Sequence, residues 1–381
     1  MSGRADHRCW AEIDLHAVAH NTRLLSQLAP ETALCAVVKA DGYGHGSVPV
    51  ARASLSAGAR WVAVANAAEA VPLRQDGIDA PILLLSEPAP AELETVLDNE
   101  LRVVLYSADA IEALGRLAAA RRRRVAVHVK IDTGMHRVGC RPDEAVALAA
   151  AVDRHPHLRL EGVMTHFALA DEPTDPCTAK QLDCFVSALD ELDRHGLRPE
   201  IAHAANSAGL LAHPTSYFDL VRVGIALYGL APSAALAGRV DLRPALSLRA
   251  RVSLVKRVEA GEGVSYGHRG FTASATQLAT LSIGYGDGVR RALGVSTAPV
   301  LLGGRRRPML GVVTMDQLVV DCGPDADVAV GDEAVLIGAQ GGDRIRAEDW
   351  ADLLGTINYE IVTGLAVRLP RLYRATSPVD D

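Results

Sequence analysis

Residues 201–227, IAHAANSAGLLAHPTSYFDLVRVGIAL, decide the fold. Two aliphatic runs, Ile201–Ala205 and Leu220–Leu227, flank one helix-sized segment, and each has the texture of a strand buried on both faces. Toward the N-terminus the same kind of run recurs at Cys35–Val38, Trp61–Ala65, Pro81–Leu85, Val103–Tyr106, Val125–Ile131 and Gly162–Thr165. Amphipathic stretches lie between them. Ala89–Asn99 sets Leu93, Val96 and Leu97 on one stripe, and Gln181–His195 does the same with Leu182, Phe185, Leu189 and Leu192. An open, doubly wound sheet would also alternate. Eight strand–helix units ending near residue 230 favour closure, so an α/β fold with a (β/α)8 barrel is expected.

Beyond Asp241 the texture changes. SLRARVSLVKRV, TQLATLSI, APVLLGG, RPMLGVVT and VAVGDEAVLIG alternate polar with apolar residues, with glycine-rich turns between them and hardly any helical periodicity. A mostly antiparallel, all-β C-terminal domain is expected over 241–381, after a barrel over 12–240. Cys9–Leu15 alternates too, so a strand in the first residues, 1–11, is expected to join the β domain, ahead of a first helix at Ala17–Leu28. The arginine run Arg305–Arg307 reads as a hairpin turn, and Arg121–Arg124 as the end of a helix, where the macrodipole favours cations.

Composition narrows the function. With 381 residues, 49% apolar, the chain is long enough for two cores and too apolar for disorder. A net charge of −7 argues against a nucleic-acid partner, whose binding rests on clustered cations. No run of about 20 apolar residues suits a membrane span, and the N-terminus shows no export signal, so a cytoplasmic protein is expected. Six cysteines form no CxxC pair, and neither disulfides nor a metal site are expected. Only four of the basic residues are lysines (Lys39, Lys130, Lys180 and Lys256), against 35 arginines. Where chemistry needs an amine, candidates are few.

In a barrel the working residues sit where strands end. Those positions hold Lys39 in AVVKADGYGHG, Lys130 and Asp132 in KIDTG, His166 in MTHF, Asn206 and Ser207 in HAANSAG, and Arg222 and Gly224 in RVGIALYG. Most strand-end lysines are merely solvated. Lys39, flanked by Ala-Val-Val, is a candidate for a desolvated amine that forms a Schiff base. Ser207, Gly224 and Ile225 lie at the usual barrel phosphate site. A lysine beside a phosphate cradle points to pyridoxal 5'-phosphate.

Those segments, with VSYG, SIGYGDG, TMDQ and TINYE, run in order from Lys39 to Glu360, and with them the chain resembles the alanine racemases, fold-type III pyridoxal-phosphate enzymes. The resemblance implies a two-base interconversion of L-alanine and D-alanine, supplying D-alanine for peptidoglycan. It implies that Lys39 carries the cofactor and serves as one base, with Tyr266 as the other. A free tyrosine, with a pKa of ~10, is phenolate only about one part in a thousand at pH 7. The family places His166 and Arg222 to supply the positive field it needs.

Arg222 further implies a ring nitrogen that stays unprotonated, because a guanidinium only donates. His203 would orient Arg222. The resemblance gives Tyr43, Asn206, Ser207, Gly224, Ile225 and Tyr359 to the cofactor. Arg137 and the Met315 backbone go to the substrate carboxylate, with Asp316 supporting that loop and Tyr285 lining the entrance. Lys130 matches a lysine carbamylated in many members; the alternative is a plain Lys130–Asp132 ion pair. Tyr266 and Met315 come from the partner subunit in the family, which implies a homodimer with shared sites.

Thr314, Thr363, Met164 and Phe271 depart from common family residues, so alanine-only specificity is less secure than racemisation itself. A broad-specificity or serine-preferring racemase is the nearest alternative. A fold-type III decarboxylase is disfavoured by Arg222 and Tyr266 together. A non-catalytic cofactor carrier would lack the residues after Asp241.

Overall fold

The computed structural model describes residues 7–374. The chain divides into two compact units, one of residues 16–244 and one joining residues 1–15 to 245–381. Strand β1, Cys9–Asp14, precedes the first unit in sequence. Residues 1–6, part of the expected N-terminal strand, lie outside the described residues, as do residues 375–381.

Unit 16–244 is the barrel. Its strands are β2 (Ala33–Val37), β3 (Trp61–Val64), β4 (Ile82–Leu84), β5 (Arg102–Leu105), β6 (Val125–Lys130), β7 (Leu158–Met164), β8 (Ile201–His203) and β9 (Leu220–Val223). All pair in parallel, in chain order from β2 to β8, and β9 returns to β2 with Cys35 opposite Arg222. The seam between β8 and β9 is closed by Asp219 N–H to Ala202 O and Arg222 N–H to Ala205 O, both 3.0 Å.

Each of the eight aliphatic runs contains a strand, with shifted ends. The run Leu220–Leu227 is strand only to Val223, after which Ile225–Tyr228 makes a 3-10 turn closed by Gly229. Gly229 has φ +80°, and a Cβ there would lie 1.9 Å from Arg243 O, so glycine is required on both counts. Pro90 splits the expected Ala89–Asn99 helix into a 3-10 turn, Pro90–Glu92, and a helix Leu93–Asp98.

The other unit is a nine-stranded, mostly antiparallel sheet. Its long strand β10, Leu246–Val258, pairs antiparallel with β1, and β1 pairs in parallel with Arg371–Arg374. Strand β1 reads as alternating, yet Cys9, Trp10, Ala11, Glu12 and Ile13 are all buried. The sheet is mostly antiparallel, as expected, and carries three short helices, Ala292–Val295, Ala347–Leu354 and Asn358–Thr363. The reading of Arg305–Arg307 as a turn is corrected. The run lies in strand Arg305–Pro308, and the turn is made by Gly303 and Gly304, both at positive φ.

The Arg121–Arg124 run follows the end of helix Ala108–Ala120, as expected. Arg121 pairs with Glu94 and Asp98, and Arg123 with Glu100, which breaks up any basic stripe. The six cysteines are all free, and among the described residues no helix is long and apolar enough to cross a membrane.

Candidate active site

Parallel strands deliver their C-terminal ends to one mouth, and the sequence puts basic groups there. Lys39 follows β2, Lys130 ends β6, His166 follows β7, and Arg222 lies on β9. The chain after β2 cannot simply continue. Ala40, Asp41, Gly42 and Tyr43 have φ of 52°, 51°, 60° and 52°, a left-handed turn. Each non-glycine residue there is strained by roughly 1–2 kcal/mol. Local bonds hold it. Gly42 N–H donates to Val38 O at 2.8 Å, and the Asp41 carboxylate accepts from Ser47 N–H at 3.0 Å. Glu69 ties the turn to β3 by accepting from Ala40 N–H and Ala65 N–H, both at 2.8 Å.

Arg222 is the most enclosed charge of the mouth, 3% exposed. Its Nη2 donates to Thr165 O and Ala204 O, both at 2.8 Å, and to His166 Nδ1 at 3.2 Å. Its Nη1 donates to His203 Nδ1 at 2.9 Å. None of these bonds uses Nε. Burial lowers this guanidinium to about 10, still a cation at neutral pH. His166 is held neutral: burial pushes its pKa well down, and Arg222, Lys130, Arg137 and Lys39 push the same way.

The two lysines share this field. Burial lowers the Lys39 amine, Arg137 lowers it further, and Glu69 partly opposes them. Lys130, 5% exposed, falls to about 8 through burial and then through Arg222, Arg137 and Lys39. Neither lysine, nor Arg137 or Arg222, has a carboxylate within 4.0 Å among the described residues. The Lys130–Asp132 ion pair is therefore not formed. Asp132 instead accepts three backbone N–H bonds, from Gly134, Met135 and His136 at 3.0 Å each, and shapes the loop leading to Arg137.

Beside this cluster lies a cradle of hydroxyl and main-chain groups. Ser207 Oγ accepts from Gly224 N–H at 2.9 Å and Ala226 N–H at 3.4 Å. Tyr43, its hydroxyl raised to about 12 by burial, crowds Gly224 so closely that a Cβ there would sit 2.5 Å from its Oη. Asn206 caps the helix Ser207–Ala212 by accepting from Gly209 N–H at 2.9 Å, so its carbonyl oxygen is spent on the chain.

The remaining candidates belong to the other unit. Tyr266 is 74% exposed, at the start of a 3-10 turn flanked by Ser265 (φ 63°), Gly267 (φ 70°) and His268 (φ 44°). Ser265 anchors the turn by donating to Val312 O at 2.8 Å. A cavity of about 430 Å³ adjoins it, lined by Tyr266, Thr314 and Val319 among others. Tyr285 and Met315 are neighbours, joined by Tyr285 N–H to Thr314 O and Gly286 N–H to Met315 O, both 2.9 Å. Buried Asp287 fixes their loop through Arg8 at 2.7 Å, Arg368 at 2.9 Å and Gly284 N–H at 2.9 Å. Asp316 pairs with Arg368 at 2.7 Å. Tyr359, half-buried, stands in Asn358–Thr363 with its carbonyl accepting from Thr363 Oγ1 at 2.7 Å.

Sequence reasoning passed over His128, Glu161 and Asp287. The signal available was polar residues inside otherwise aliphatic strands, HVK in β6 and LEG in β7.

A parallel barrel whose mouth gathers a desolvated amine, a second depressed amine and two arginines without carboxylates presents a cationic site of the kind that enzymes use for small anions. Comparison with known proteins narrows that class. The family model described as alanine racemase, N-terminal domain, matches residues 13–232, and that for the C-terminal domain matches residues 245–373. An alanine racemase of Symbiobacterium thermophilum is 50% identical over 364 residues, 96% of each chain. The structure of alanine racemase from Streptomyces coelicolor superposes with a TM-score of 0.91 at 42% identity, covering 97% of this chain and 98% of that one. That from Bacillus anthracis, solved with bound L-Ala-P, gives 0.91 at 37% identity, covering 97% and 95%. The chain belongs to the alanine racemase family, and it is an amino-acid racemase, an isomerase.

Proposed function

We propose that this enzyme interconverts L-alanine and D-alanine with pyridoxal 5'-phosphate as cofactor, using Lys39 and Tyr266 as its two proton carriers. The observation that carries the reading is the state of Arg222, a buried cation whose Nη groups are committed to protein acceptors while Nε–H is left to donate.

The residues present suit the cofactor. Ser207, Tyr43 and the backbone at Gly224 and Ile225 form a cradle for its phosphate, Tyr359 adds a hydroxyl, and Lys39 supplies the amine that attaches it. When bound, the cofactor supplies a conjugated ring that delocalises the electron pair left as the α-hydrogen departs. Arg222 only donates, so a ring nitrogen facing it stays unprotonated, which limits that delocalisation and disfavours side reactions that need long-lived charge.

Lys39, its amine lowered by burial and by Arg137, takes or returns the α-proton on one face. Tyr266 does so on the other, with Arg222, which donates to neutral His166, supplying the positive charge of the mouth. Arg137 and the Met315 main chain hold the substrate carboxylate, Arg137 by its planar fork. Lys130 is carbamylated in this reading: its neutral amine adds to carbon dioxide, losing one proton, and the resulting carbamate gives the three remaining basic groups, Lys39, Arg137 and Arg222, an anionic partner. Asn206 supports the phosphate cradle, and Tyr285 guards the entrance.

Because Tyr266 lies exposed on the unit that contains β10, the second proton carrier is assigned to the partner subunit of a homodimer. The role follows: supply of D-alanine for peptidoglycan from the cytoplasm.

Circular dichroism of the holoenzyme with L-alanine, L-serine and a bulkier amino acid tests the reading. Loss of optical activity fastest with alanine is expected. Equal rates with all three move the assignment to a broad-specificity racemase. Borohydride must fix the cofactor on Lys39, and a protein that takes no label there overturns the cofactor assignment.

A further inference from the structure

Behind Arg222 a file of buried polar groups crosses the barrel interior. Arg222 Nη1 meets His203 Nδ1 at 2.9 Å, His203 Nε2 meets His128 Nδ1 at 2.8 Å, and His128 Nε2 meets Glu161 Oε2 at 3.0 Å. Both imidazoles are fully buried, Arg222 is 3% exposed and Glu161 4%.

The two ends of the file fix every proton between them. A guanidinium only donates, so His203 Nδ1 must be a bare acceptor, and the proton of neutral His203 sits on Nε2. That proton leaves His128 Nδ1 as an acceptor, so the proton of His128 also sits on Nε2. It is donated to Glu161, which as a carboxylate only accepts. Reversing the file would aim an N–H of His203 at an N–H of Arg222. One polarity is allowed.

The surroundings hold the file in that state. Burial pushes both histidines down, so they stay neutral. Burial alone would raise Glu161, but the bond from His128 and the charges of Arg159 and Arg102 overcome it and hold the carboxyl below its usual range. Glu161 Oε1 accepts from Arg159 at 2.5 Å, and Arg102 stands 3.7 Å from Oε2. The slot for the His128 ring is equally specific. Trp61 meets it edge-on at 5.8 Å, and a Cβ on Gly162 would lie 2.2 Å from its Nδ1.

We infer that His128 and Glu161 are positioning residues for Arg222: the file fixes the side-chain orientation of the guanidinium, and Glu161 is its remote counter-charge, relayed through two oriented imidazoles. The mouth contains no carboxylate bonded to Arg222, so its nearest fixed anion along a hydrogen-bonded path is Glu161. This inference rests on the reading above, in which Arg222 faces the cofactor ring.

The test is nitrogen-15 NMR of histidine-labelled holoenzyme with steady-state kinetics, on the wild type, Glu161→Gln and Gly162→Ala. The wild type should show His128 and His203, like His166, with bare Nδ1 and protonated Nε2, unchanged across neutral pH. In Glu161→Gln the carboxamide oxygen still accepts from His128 and Arg222 still forbids the reversed file, so both tautomers should persist while the counter-charge is lost. That loss should lower kcat by about 10–100-fold, by analogy with removal of the partner behind a metal-ligating histidine, with KM for alanine within about threefold. Gly162→Ala keeps every polar group but displaces the ring, and should do the same.

A wild-type His203 protonated on Nδ1 overturns the file. An unchanged kcat in Glu161→Gln, with a lower unfolding midpoint, also overturns it, since Glu161 would then serve only to pin Arg102 and Arg159. If neither variant folds, the wild-type spectrum alone decides. A wild type with the expected spectrum but no racemisation would fail the functional reading and leave the file intact.

Discussion

The barrel mouth and the Asp287 loop handle charge in opposite ways. Around Asp287 a fully buried carboxylate is met by Arg8, Arg368 and a backbone N–H, a conventional closed cluster. At the mouth, Lys39, Lys130, Arg137 and Arg222 press on one another, with no carboxylate bonded to any of them among the described residues. A closed cluster holds a loop still. An open, one-signed cluster lowers the pKa of its amines and suits anions from outside the chain, in the proposed reading the substrate carboxylate.

The contrast is broken most severely at the proton carriers. Lys39→Ala and Tyr266→Phe should each lower racemisation by about 10²–10⁴-fold, as loss of a general acid–base group does. Mixing the two inactive proteins and allowing subunit exchange should restore partial activity. No recovery after confirmed exchange would remove the shared-site reading.

Stability should separate the two clusters next. Asp287→Ala frees two half-exposed arginines and strands the buried Gly284 N–H without its acceptor, and urea unfolding should show a loss of about 1–3 kcal/mol. Arg137→Ala relieves repulsion and removes no bond, so its stability should change by less than about 0.5 kcal/mol while KM for alanine rises. A comparable loss in both variants would erase the distinction.

Lys130 sharpens it through pH. Its folded pKa of about 8 lies below the unfolded value of about 10.4, so between those limits the unfolded chain binds more protons and stability rises with pH. The unmodified protein should gain about 3 kcal/mol across that window relative to Lys130→Met, in buffer stripped of carbon dioxide. With bicarbonate present, carbamylation should flatten the difference, and intact mass under native conditions should show the adduct. An identical slope with and without bicarbonate would exclude the modification.

The smallest effect is expected at the turn after β2. Ala40→Gly removes left-handed strain at φ 52° but frees the unfolded chain, so thermal unfolding should change by no more than about 1 kcal/mol, toward greater stability.

The barrel was legible because each strand is a short aliphatic run with its own boundaries. The helices Ala347–Leu354 and Asn358–Thr363 were not, since two turns or fewer carry too little periodicity to stand out from strands. Strand-end position was enough to gather Lys39, Lys130, His166 and Arg222 at one place. It could not show His128 and Glu161, because a polar residue within a buried strand leaves the same pattern whether it is filler or part of a hydrogen-bonded file. The left-handed turn at KADGY was hidden as well, for only its glycine announces positive φ, while Ala40, Asp41 and Tyr43 adopt it because Glu69 and Ser47 hold the surrounding backbone.

Strand β1 is laid down before the barrel, yet its neighbours β10 and Arg371–Arg374 come after it. During synthesis on the ribosome, roughly 230 residues must emerge before Trp10 and Ile13 find the first of those neighbours. The barrel, closed by β9 at Leu220–Val223, is complete only as that interval ends. The segment Cys9–Asp14, apolar along the face of Cys9, Ala11 and Ile13 and carrying Trp10 on the other, spends the same interval as a natural client for chaperones, and the yield of intact enzyme in the cell should depend on how well it is shielded there.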